Sequence, residues 1–80
     1  MPSSLLADRY EAVAAVLKAA RQEVGMTQVE LATRLQRPQS YVSKVERRER
    51  RVDPVEFYDW ERALGFSQCA LYERLVKVLG

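Results

Sequence analysis

The stretch "QSYVSKVERRERR", residues 39–51, gathers side chains suited to recognition by hydrogen bonds and charge rather than to breaking covalent bonds. Gln39 carries an amide that both donates and accepts, Ser40 a hydroxyl that does the same, and Lys44 an ammonium with three donors. Four guanidinium groups follow, at Arg47, Arg48, Arg50 and Arg51. Residues 37–51 hold six basic groups against Glu46 and Glu49, a net of +4, while the remaining seven basic and nine acidic groups leave the rest of the chain at −2. Such a cluster is either a solvated corner or a surface shaped for an anionic partner, and its concentration on one short element is the electrostatic footprint of a nucleic-acid contact.

Other chemistries find little support. The chain has no His and one Cys, which leaves neither a disulfide framework nor a Cys/His zinc site, and no metal or cofactor is expected. There is no glycine-rich phosphate loop. Asp59 and Glu61 stand two apart on a helix, point in different directions and read as solvated charges, so no enzyme is expected. Eighty residues make one domain, 1–80, with a modest core. No apolar run spans a bilayer, and Asp8, Glu11 and Lys18 interrupt the first twenty residues, against a signal peptide. A reducing, cytoplasmic setting fits, with no membrane partner and no small-molecule ligand.

The elements that position residues 39–51 are helices. Ser3 or Ser4 caps a first helix reaching about Val24, with Leu6, Tyr10, Val13, Val16, Leu17 and Ala20 at helical spacing, and Gly25 ends it. Thr27 and Glu30 form a capping-box pattern that opens a second helix, whose apolar positions are Val29, Leu31, Ala32 and Leu35. Pro38 halts that helix and suits the first turn of a third, in which Tyr41, Val42 and Val45 are apolar and which ends near Arg47. Asp53, Pro54 and Glu56 start a fourth helix, which runs to Leu64 before Gly65 and buries Phe57, Trp60, Ala63 and Leu64. Ser67 caps a fifth through Leu79. The fold class is all-α, five helices.

Two short helices joined by a three-residue break satisfy the helix-turn-helix pattern, in which the second helix enters a major groove about 12 Å wide. On that reading Gln39, Ser40, Lys44 and Tyr41 reach base edges: Gln pairs with N6 and N7 of adenine, and Lys with O6 and N7 of guanine. The competing reading is a solvated polar face.

The segments "LKAARQEVGMTQVELATRL", "SYVSKVE" and, after a basic loop, "DPVEFYDWERALG" resemble the repressor/Cro-type, XRE-like helix-turn-helix regulators of phages and bacteria, over Leu17 to Gly65. The resemblance implies a compact five-helix repressor-like domain that binds double-stranded operator DNA as a homodimer, by a two-fold-related site. It implies a phosphate contact for Gln28, base reading for Gln39, Ser40, Tyr41 and Lys44, and a place near the backbone for Ser43. It also implies a buried ion pair between Arg21 and Glu46 that orients the third helix. Gln36 and Arg48 stand where the family often has Gly, so Gln36 must adopt a positive φ or the turn must rearrange. Arg47, Arg48 and Arg50 leave the third helix beside the groove and are expected on phosphates, with Arg51 either joining them or pointing away.

The C-terminal helix, 67–79, is the candidate dimerisation element. Leu71, Tyr72, Leu75, Val76 and Leu79 either pack entirely on helices one and four or form an isologous patch. Cys69 reads as a small buried residue. The alternative function is a protein-interaction module on the same fold that does not bind DNA, which a reversed charge around the third helix would favour.

Overall fold

A computed structural model describes residues 2–80, with side chains from Arg9 onward. Five helices follow in order: α1 (Pro2–Glu23), α2 (Gln28–Leu35), α3 (Gln39–Glu46), α4 (Pro54–Ala63) and α5 (Ala70–Leu79), with no strand among the described residues. α1 packs against α5 and α3, and α2 against α3 and α4. α1 is already helical at Pro2, so Ser3 and Ser4 stand within it; their side chains and that of Leu6 lie outside the described set.

The starts of α2 and α4 are fixed by the same device. Thr27 Oγ1 accepts from Glu30 N–H at 3.0 Å while Glu30 Oε1 accepts from Thr27 N–H at 2.8 Å. Asp53 and Glu56 repeat this at 2.8 and 2.9 Å, with Pro54 in the first turn. Each box satisfies two N–H groups that the helix itself cannot.

Four ends share one motif as well. At Gly25, Gln36, Arg48 and Gly65 the chain turns left-handed (φ +74, +57, +66 and +87), and the next N–H reaches back five residues: Met26 to Arg21, Arg37 to Ala32, Glu49 to Lys44 and Phe66 to Glu61. These are Schellman closures. Gln36 and Arg48 therefore keep the turn in place of glycine by adopting positive φ, at a cost of about 1–2 kcal/mol each.

Trp60, Leu17, Leu31, Leu71 and Val42 are fully buried at the centre, with Ala20, Val45, Leu64 and Leu75 around them. Four expectations are corrected here, the burial of Cys69 among them. Leu71 and Leu75 belong to this core and are withdrawn from any surface patch, because α5 turns them onto the other helices. Val29, expected inside, is exposed, since α2 is covered on only one side. Ser67 does not cap α5: residues 68 and 69 take φ +55 and +64, Ala70 N–H bonds Ser67 C=O at 3.0 Å, and Cys69 is an exposed residue at the turn.

The cap of α5 comes from α4 instead. Glu61 is only 6% exposed, and its Oε2 accepts from Leu71 N–H at 2.8 Å. A carboxylate at a helix N-terminus satisfies an orphan donor and meets the positive end of the helix dipole. Glu61, read from sequence as a solvated charge, thus joins α4 to α5 through the interior. Glu61→Ala should lower the unfolding free energy by about 1–2 kcal/mol, read from the urea midpoint at unchanged m, with the loss concentrated in hydrogen-exchange protection of α5.

Candidate nucleic-acid interface

α3 divides cleanly into two faces. Tyr41, Val42, Val45 and Glu46 point inward, while Gln39, Ser40 and Lys44 are exposed and Ser43 is half-buried between them. Ser40, Lys44 and Arg47 recur at i, i+4 and i+7, so they line one solvent-facing strip. Pro38 precedes the helix in an extended conformation (φ −63, ψ 150), and α2 and α3 meet across the three residues 36–38.

The inner face is held at its C-terminal end by a polar network. Arg21 Nε and Nη2 grip Glu46 at 2.6 and 2.9 Å, and Arg21 Nη1 donates to Met26 C=O at 2.8 Å. The Glu46 side chain is 2% exposed, so loss of Arg21 would strand a buried charge, a fault that typically costs 3–5 kcal/mol. Gln28 Nε2 donates to the same carboxylate at 2.9 Å, and Gln28 Oε1 accepts from Gln39 Nε2 at 2.8 Å. One continuous chain of hydrogen bonds runs from α1 through the end of α3, across α2, and back to the first residue of α3. Gln28, expected on a phosphate, spends its side-chain amide in this network.

A second cluster holds the turn and the basic loop. Tyr41 is 7% exposed, so it is removed from the base-reading set: its position in the helix turns it onto α4. Its hydroxyl donates to Glu56 Oε2 at 3.3 Å and accepts from Trp60 Nε1 at 3.1 Å. Arg37 and Arg50 lie over its ring at 4.4 and 4.8 Å, in cation–π contact. Both also pair with Glu56 Oε2, at 3.2 and 2.9 Å. Arg50, which was expected on a phosphate, also donates to Arg51 C=O at 2.6 Å and serves as an internal strut for the loop. The loop is further pinned where Val52 N–H donates to Tyr10 Oη at 2.6 Å, with Arg51 stacked on the Tyr10 ring at 4.6 Å. Arg47 pairs with Glu49 at 3.0 Å, and Arg48 with Glu11 of α1 at 2.6 Å.

Sequence reasoning missed the hub residues Glu56, Trp60 and Arg37. The capping position of Glu56 was visible, but nothing local signals that one carboxylate serves a cap, two arginines and a tyrosine. Among the described residues no cluster of His, Cys, Asp and Glu could hold a metal ion, and no helix is long and apolar enough to cross a membrane.

A helix-turn-helix family model matches residues 17–67, more than half of the chain, spanning α2, α3 and the packing of α1 and α4 around them. The chain belongs to the XRE-type helix-turn-helix family. Among solved structures it is similar to an XRE-family like protein from Pseudomonas syringae pv. tomato str. DC3000, at 43% identity, over 99% of this chain and 96% of that one, with a TM-score of 0.86. It is also similar to the restriction-modification controller protein C.Esp1396I, solved as a tetramer in complex with its natural 35-base-pair operator; there the identity is 30%, the coverage 89% and 93%, and the TM-score 0.81. The search of curated proteins finds no match. As an XRE-type protein, the chain is a DNA-binding transcriptional regulator.

Glu56 gives this regulator a titratable joint. Burial pushes its carboxyl pKa up, but the Asp53 N–H, the Arg50 guanidinium and the Tyr41 hydroxyl together outweigh burial and hold it below the usual carboxylate range. A lowered folded pKa stabilises above the unfolded value, about 4.3, and that contribution fades as pH falls through the folded value. Glu56→Gln should therefore cost about 1–3 kcal/mol at neutral pH, with the gap from the wild type closing progressively below about pH 4, as measured by urea denaturation across a pH series.

Proposed function

We propose that this regulator binds a two-fold-symmetric operator as a homodimer, placing the exposed strip of α3 in the major groove, and that it acts as a small repressor or autoregulator. The observation that carries the reading is the division of α3. Its inner face is locked to α1, α2 and α4, and its outer face offers Gln39, Ser40 and Lys44 to solvent without an apolar residue among them. A rigid helix bearing amide, hydroxyl and ammonium groups suits base edges, and its anchoring limits the ordering cost on binding. Gln39 enters the groove already held by Gln28, which fixes its amide orientation. Ser43, Arg47 and Arg48, at the edge of the strip, are assigned to the phosphates. That the similar protein C.Esp1396I is solved in complex with its operator supports DNA as the partner.

The dimer surface we assign to what α5 leaves outside. Tyr72 and Val76 are about half exposed, and Leu79 is partly buried, at i, i+4 and i+7. Of these, Tyr72 lines a shallow groove of about 230 Å³ whose apolar wall includes Val13, Val52, Pro54 and Phe57, and Phe57 meets Tyr72 edge to face at 6.2 Å. A two-fold axis through this face would let two copies bury the same patch and set two α3 helices about 34 Å apart, one turn of DNA.

Selection of bound duplexes from a random pool, followed by sequencing, should enrich a two-fold-symmetric site; the absence of any enriched sequence would overturn the reading. Lys44→Ala and Gln39→Ala should relax preference at individual positions by about 1–3 kcal/mol each, while Arg48→Ala should weaken all sequences alike. Val76→Glu should shift sedimentation equilibrium to the monomer and abolish cooperative occupation of the two half-sites. A dimer that survives that substitution would place the interface elsewhere.

A further inference from the structure

Four of the five arginines in residues 37–51 are already paired with carboxylates in the free protein, in two different ways, while Arg51 stacks on Tyr10. Arg37 and Arg50, with side chains 41% and 40% exposed, pair with Glu56, whose side chain is only 10% exposed, so their partner is a buried carboxylate. Arg47 and Arg48 pair instead with Glu49 and Glu11, whose side chains are 55% and 46% exposed. Pairs of this second kind are worth little in water and exchange readily for another anion. Arg48 is the more telling case. It occupies a left-handed position (φ +66) that glycine would fill without strain, and its partner lies on another helix, 2.6 Å away. The left-handed turn that closes α3 thus places a guanidinium at the corner of α1 and α3, beside Lys18 and Arg47 along one shallow depression.

We propose that Glu11 is an intramolecular substitute for a DNA phosphate: in the free protein it occupies Arg48, and it must be displaced before Arg48 meets the backbone. The proposal rests on the reading that Arg48 contacts phosphate. The exchange trades one monoanionic partner for another, so no bond to a base is gained or lost. Its effect falls on all sequences alike, and Glu11 sets the absolute strength of DNA binding without setting the sequence preference. It also reduces the salt dependence, because the released carboxylate stands close to the DNA and restores part of the local negative charge that Arg48 removes.

The test measures binding of the full chain to a random-sequence duplex of about 30 base pairs, three helical turns, across a salt series. Glu11→Gln, Arg48→Gln and the double variant are compared with the wild type, after thermal unfolding has confirmed that each is folded. Glu11→Gln should tighten binding about two- to fivefold and steepen the slope of log affinity against log salt by up to about one. In the Arg48→Gln background that gain should shrink to less than half, leaving only the carboxylate's own repulsion of the DNA, since it then has no arginine to hold. An equal gain in both backgrounds would mean simple charge repulsion and would overturn the proposal. No gain in the single variant would mean that the pair only shapes the loop, and would overturn it too. If Arg48→Gln alone leaves affinity unchanged, the phosphate role of Arg48 fails first, a result distinct from either of the others.

Discussion

The Glu46 carboxylate, buried where α1, α2 and α3 meet, constrains everything the outer face of α3 presents. A charge removed so completely from water is tolerable only if its oxygens are filled, and Arg21 and Gln28 fill them. Arg21 comes from α1 and Gln28 from the first residue of α2, so satisfying one carboxylate fixes the mutual placement of three helices. The constraint then passes through Gln28 to Gln39, at the start of α3. Orientation of the outer face of α3 is thus set by an electrostatic requirement as much as by apolar packing.

Glu56 solves the complementary problem at the other side of α3. As a capping residue it belongs to α4, yet it also collects Tyr41, Arg37 and Arg50, which come from α3 and from the segments that flank it. The two carboxylates hold α3 from both sides, one at its C-terminal end and one through the tyrosine beneath its first turns. Trp60 closes the second cluster by donating to the Tyr41 hydroxyl, and no buried side-chain polar atom among the described residues lacks a partner. Polar groups at this density in the interior of an 80-residue chain are costly unless satisfied, and their satisfaction gives the small core its specificity.

The charged surface follows the same economy. A net of +4 on residues 37–51 implied freely available cations, yet two of the arginines brace the loop from within and two are held by exposed carboxylates. Lys44, in the middle of the exposed strip, and Arg51, stacked on Tyr10, are the basic groups of that segment for which no ion pair is seen among the described contacts. Charge counted along a sequence measures capacity, whereas charge offered to a partner depends on which carboxylates the fold brings within reach.

Sequence by itself determined the five helices and the punctuation between α1 and α4, though not the starts of α1 and α5. Capping boxes at Thr27 and Asp53, glycine exits at Gly25 and Gly65, and Pro38 between α2 and α3 act within a turn or two of themselves, so local chemistry suffices. It also carried the family, through the spacing of α2 and α3, and it named Gln36 and Arg48 as residues standing where glycine is usual; the structure keeps both turns at positive φ. Tertiary structure alone decided which apolar residues of α5 are core and which are surface, that Tyr41 faces Trp60 and not solvent, and that Glu61 caps a helix ten residues further on. Those outcomes depend on contacts between residues distant along the chain. An amphipathic pattern says that a face exists, but the neighbouring helix decides what that face meets.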